Sequence, residues 1–137
     1  MVVQLYGEWP SFHDAEVLSI ALDRSSSEKG FGPFLKARVH CFTLTSEITE
    51  GGVYRTISHA VLTITFCEVI ELEWQYGFGS QNSLSTLIIE PVTYEKQPRA
   101  RYKVRFVAHE TCDLQFLCSS IEVVDVLPGI PEESVYA

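Results

Sequence analysis

The chain has 137 residues, 46% of them hydrophobic and 12% aromatic, which suits one domain with an ordinary core and excludes a disordered chain. Its formal net charge of −8 argues against nucleic-acid binding, whose usual footprint is a basic surface. No apolar run reaches the length of a membrane span, and the N-terminus lacks a basic region followed by an apolar one, so the cytoplasm is the expected compartment.

The first informative stretch is W-P-S-F-H-D-A-E-V, residues 9–17. It places His13, Asp14 and Glu16 beside Trp9 and Phe12. One reading is mechanical: Pro10 fixes the approach, Ser11 or Asp14 caps a turn, and Trp9 and Phe12 seat that turn on the core. The other keeps this seat and presents Asp14 and Glu16 outward. His13 and Asp14 are adjacent, so on a strand they would face opposite ways, which weakens a shared metal or a His–Asp relay.

Beyond this turn the dominant period is two, so strands lead. Residues 16–24 alternate with Leu18, Ile20 and Leu22 on one side. Residues 25–33 are a turn or loop by composition. A second strand puts Leu35, Ala37, Val39 and Cys41 on one face, with Lys36, Arg38 and His40 opposite; a polar loop follows over 45–55. From 61 to 74, Leu62, Ile64, Phe66, Ile70, Leu72 and Trp74 share one parity. Glu68 interrupts it, so a bulge or a break into two strands is expected there, because a buried unpaired carboxylate is costly.

Residues 77–80 form a turn. Residues 82–90 fit either a short helix or a strand. Pro91 and Pro98 bracket a loop. The next strand turns Tyr102, Val104, Phe106 and Ala108 inward and Arg101, Lys103 and Arg105 outward. After a hairpin connection at 109–112, Leu114, Phe116 and Cys118 point inward. The parity then switches to Ile121 and Val123, with a re-aiming bulge expected at Ser119-Ser120. Pro128, Gly129 and Pro131 end the fold, leaving 129–137 as a loose tail. The expected fold is therefore a single mostly β domain over 1–137: an antiparallel curled sheet or sandwich of about six to seven strands with little helix. Its core should include Leu18, Ile20, Leu22, Leu62, Ile64, Phe66, Leu72, Val104, Phe106 and Phe116.

Chemistry-bearing motifs are sparse. Cys41, Cys67, Cys112 and Cys118 form no C-x-x-C pair, and the histidines His13, His40, His59 and His109 form neither H-x-H nor H-x-x-x-H. No metal or other cofactor is therefore expected, and no disulfide without an export signal. No nucleophile elbow, phosphate loop or dinucleotide fingerprint is present. Glu71 and Glu73 share a strand face, which a solvated strand produces without any catalytic role; the basic stripes at 36–38 and 101–105 are expected to pair with them across strands.

Charge is unevenly distributed. Residues 1–23 carry −4 and residues 106–137 carry −6, both without Lys or Arg, whereas 24–105 carry +2. If the ends are neighbours, Asp14, Glu16, Glu122 and Asp125 make one acidic face. That face would speed encounter with a basic partner or simply keep the protein soluble.

The segment WPSFHDAEVLSIALDR, residues 9–24, is similar to the opening motif of the immunity protein 50 family, small bacterial proteins of polymorphic-toxin systems. Weaker likenesses run through LTITFCEVIELEW (62–74), FGSQNSLSTLII (78–89) and CDLQFLCSSIEVVDVLP (112–128). The resemblance implies a mostly β, non-enzymatic protein that binds and masks a cognate toxin, with no catalytic residues to carry over. An acidic inhibitor would suit a basic toxin such as a nuclease. The alternative is a small enzyme or ligand-binding β domain with its site at His13 and Asp14.

Overall fold

The computed structural model describes residues 12–24, 32–48, 50–52 and 54–135. Among them there is no helix. Eight strands run in chain order: β1 (Glu16–Asp23), β2 (Phe34–Ile48), β3 (Tyr54–Cys67), β4 (Ile70–Gln75), β5 (Thr86–Pro91), β6 (Tyr102–Val107), β7 (Asp113–Cys118) and β8 (Ser120–Pro128). They form two antiparallel four-stranded sheets, β1-β2-β3-β8 and β4-β7-β6-β5. The protein is thus the mostly β, antiparallel molecule its alternating pattern predicts.

The inner faces follow the alternation. Leu35, Ala37, Val39 and Cys41 on β2 and Leu62, Ile64 and Phe66 on β3 are buried against Val104, Phe106, Leu114 and Phe116 of the second sheet. Phe66 is the link between the layers: its ring lies 5.0 Å from Phe116 and 6.0 Å from Phe106, edge-on to both. Such pairs add to the gain from burial.

The first strand departs from expectation. Leu18 is an extra residue: Val17 pairs with Val39 and Ser19 with Arg38, so Leu18 bulges out. Val17, not Leu18, enters the core. Ile20 packs partly against it, whereas Leu22 keeps the inward parity opposite Leu35 yet is 55% exposed at the sheet's end. The polar stretch 45–55 is also mostly strand. β2 and β3 reach in to Ile48 and Tyr54, and Gly52 turns at a φ of 78° that glycine adopts without strain.

The break at Glu68 is where the chain changes sheets. Glu68 adopts a φ of 53°, its carboxylate lies 3.0 Å from Arg99, and Val69 starts the path into β4. The parity switch at Ser119 is the same event in reverse, carrying β7 into β8. The two crossings lie side by side, since Ser119 N donates to Cys67 O at 2.9 Å. One two-stranded ribbon therefore bends from one sheet to the other, a recognised way to build a sandwich corner.

On the opposite side, residues 82–85 close the gap. Val17 N donates to Asn82 O, Leu84 N to Ala15 O, and Ser85 N to Val107 O, at 2.9, 2.9 and 2.8 Å. The segment left open between helix and strand is thus extended, because its backbone groups find partners at the β1 edge of the first sheet and on β6 of the second. Asn82 fixes it: Oδ1 accepts from Gly79 N at 2.7 Å, and Nδ2 donates to Gly79 O and Val17 O at 2.9 and 3.3 Å.

The expected pairing of Glu71 and Glu73 with both basic stripes does not form. β2, with Lys36 and Arg38, lies in the other sheet, and β7 separates β4 from β6. Glu73 faces Gln115, and Lys103 faces Glu90. Residues 129–135, marked as a loose tail by composition, turn back over the outer face of the first sheet: Gly129 N donates to His59 O at 2.8 Å, and Arg38 lies 3.4 Å from Glu133.

Candidate functional site

The opening motif splits into parts with different fates. Trp9 lies outside the described residues. Phe12 is buried in the core, in a turn closed by Ala15 N donating to Phe12 O at 3.1 Å. Phe12 and Asp14 both adopt left-handed backbone, at φ 61° and 60°. His13 is exposed; its Nδ1 lies 3.2 Å from Ser85 O and its Nε2 lies 3.5 Å from Asp14. Asp14 sits on the rim of an open depression of about 540 Å³, with Gly79, Ser83, His109, Glu110 and Thr111 among the lining residues.

Glu16 corrects the expectation of an outward acidic group. It is only 4% exposed. Residue 16 pairs with His40 across β1 and β2, both on the outer face of the first sheet. Its Oε1 lies 2.6 Å from His40 Nδ1. A carboxylate can only accept, so Nδ1 carries the proton. Ser134 Oγ donates to the same Oε1 at 2.5 Å, and Val135 N donates to Oε2 at 3.1 Å. Burial raises the Glu16 carboxyl pKa, but the bonds from Ser134, His40 and Val135 and the His40 charge outweigh it, holding the group below its ordinary 4.5.

His40 extends the chain of contacts. Its side chain is fully buried, and its Nε2 lies 2.9 Å from His59 Nδ1. One proton occupies that gap, so the two facing nitrogens cannot both be protonated. Phe42 packs against both imidazoles, with ring centroids 5.4 and 5.3 Å away. A bulge in β3 beside Ser58, at φ 56°, sets His59 next to this pair. The line of Glu16, His40 and His59 is buried beneath the tail at Glu16 and His40 and half-buried at His59. It reads as a polar keystone joining β1, β2, β3 and the C-terminal segment.

The expected single acidic face is also corrected. β2 and β3 lie between β1 and β8, so Glu122 and Asp125 are at the far edge of the sheet from Glu16. Glu122 shares a cross-strand row with Thr65 and Lys36, and Asp125 one with Thr63 and Arg38. The row brings basic residues toward the acids of β8, and Asp14 stands apart at the sandwich end.

All four cysteines are free and buried. Burial, with the Asp113 charge, pushes the Cys112 thiol up to about 12. Burial, with Cys67 nearby, does the same to Cys118, and burial alone raises Cys41. Such thiols are poor nucleophiles at neutral pH. Among the described residues no three His, Cys, Asp or Glu side chains gather as a metal's ligands would.

Sequence reasoning missed His40, His59, Ser134 and Asn82. His40 lies on the polar parity of β2, as read, but the tail that covers that face gives no local signal. The 82–85 bridge likewise depends on β1 and β6, two strands far apart in sequence.

One family model, described as Immunity protein 50, matches residues 1–129. No curated protein and no solved structure matches the chain.

Proposed function

The chain belongs to the Immunity protein 50 family, and from that membership we propose that it neutralises a cognate bacterial toxin by binding it and masking its active site or substrate cleft. The family implies an immunity role with a toxin as partner. The match across residues 1–129 is the observation that carries this reading. Masking needs a rigid scaffold and a complementary surface, with no chemistry of its own. A cross-tied sandwich, buried weakly acidic thiols and a His40 imidazole bonded to Glu16 and buried suit that role.

The proposal extends to a toxin that is basic, as nucleases commonly are, met in the cytoplasm. The overall charge of −8 supports this through steering. Asp14, Glu122 and Asp125 remain candidates for toxin contact, on two separate surfaces. The test is inhibition of the purified toxin encoded beside this protein's gene. Activity should fall linearly with added protein and reach zero at an equimolar ratio. Undiminished toxin activity at excess protein would contradict the reading.

A further inference from the structure

The end of the sandwich beyond β4 exposes three aromatic side chains within five residues. Tyr76 is 62% exposed, Phe78 46% and Trp74 38%. Trp74 and Phe78 are held in place. Trp74 Nε1 donates to Gly77 O at 2.9 Å, Cys112 N donates to that same carbonyl at 2.7 Å, and the Trp74 and Phe78 rings meet edge-on at 6.3 Å. Tyr76 occupies left-handed backbone at φ 66°, a conformation that a bulky side chain adopts against its preference. Strain of this kind, spent on exposing an aromatic ring, points to use of that ring.

Two other segments converge on this end. Thr111 Oγ1 donates to Gln81 O at 3.1 Å, and Asp14 N donates to Leu84 O at 2.9 Å, bringing the 108–112 connection and the 12–15 turn beside the 76–85 stretch. These segments carry Asp14 and Glu110, which line one depression with Gly79, and none of residues 12–15, 74–85 and 108–112 is Lys or Arg. An aromatic centre bordered by acids has the anatomy of a protein-binding site: anchors in the middle and charge at the rim.

Resting on the immunity reading, we propose that this end, centred on Trp74, Tyr76 and Phe78 and rimmed by Asp14 and Glu110, is the surface that engages the toxin. Its complement on the toxin is an apolar recess ringed by Lys and Arg. Charge complementarity selects this occupant: the acidic rim repels a second copy of itself and attracts a basic surface. The aromatics hold the complex together once formed, and the rim acids govern how fast it forms.

The experiment is surface plasmon resonance against the purified toxin encoded by the adjacent gene. It uses the full chain, Tyr76→Ser with Phe78→Ser, Asp14→Asn with Glu110→Lys, and Leu127→Ser as an exposed apolar control on β8. The aromatic double variant should raise Kd by on the order of a hundredfold, mostly through faster dissociation. The charge variant should slow association about tenfold or more at low salt, with the difference shrinking at high salt. Leu127→Ser should bind as the parent does. If the parent fails to bind, the immunity reading falls, and this surface with it. If the parent binds and both double variants match it, the surface alone is overturned. A parent dimer in light scattering that the aromatic variant abolishes would also overturn it, in favour of self-association. Should the aromatic variant not fold, the charge variant decides the question by its association rate.

Discussion

Glu16 and His40 face each other across neighbouring strands, 2.6 Å from Oε1 to Nδ1, with both side chains buried under the C-terminal segment. This pair anchors the outer face of the first sheet. Removing the carboxylate strands a buried imidazole and the donors of Ser134 and Val135. Glu16→Ala should therefore cost about 3–5 kcal/mol, the usual penalty for breaking a buried pair. Chemical denaturation measures it; an unchanged midpoint would mean that the pair is solvated.

The same carboxylate makes stability depend on acid. Its folded pKa lies below the ordinary 4.5 because the hydrogen bonds from Ser134, His40 and Val135 outweigh burial. A depressed folded pKa gives stability that is present above the unfolded value and lost as pH falls through the folded one. The denaturation midpoint should therefore decline as pH drops below about 4.5. Glu16→Gln should flatten that decline, as fluorescence-monitored unfolding across the acid range would show.

The tail contributes through Ser134. Its hydroxyl bonds to an ionised, buried acceptor, a class worth about 1.5–3 kcal/mol. Ser134→Ala should lose that much or slightly less, since Val135 N remains bonded to Glu16. Hydrogen exchange should then quicken at Val135. A variant as stable as the parent would show that the tail does not clamp the sheet.

Much of the fold can be read from side-chain period. The alternation at 35–41, 62–66 and 104–108 names the buried residues because inward packing demands every second position. Glu68 marks a sheet crossing because its charge breaks an apolar run. Leu18 misled because one bulged residue reverses the parity, and nothing local announces a bulge. Glu16 misled for a different reason. Its burial depends on Ser134 and Val135, more than a hundred residues away, and no short pattern encodes that contact.

Two buried polar side chains invite opposite results. Among the described residues Thr65 Oγ1 is buried without a hydrogen-bond partner, so Thr65→Val should be neutral or stabilising by about 1 kcal/mol. Asn82 uses both ends of its amide. Asn82→Asp replaces a donor that meets two carbonyls with a repelled oxygen, and should destabilise by about 2–3 kcal/mol. Thermal melts of the two variants should move in opposite directions or leave only the second displaced.

Phe66 joins the two sheets through its contacts with Phe106 and Phe116. Phe66→Ala should cost about 3–5 kcal/mol, and a melt unchanged from the parent would contradict this packing.

The most direct measurement of the central claim is amide hydrogen exchange of this protein with and without the toxin encoded beside its gene. Binding through the aromatic end predicts slowed exchange in the 12–15 turn, in 74–85 and in 108–112, with the β8 edge and the segment 129–135 unchanged. Slowing confined to β8 or the tail, or no slowing at saturating toxin, would contradict it.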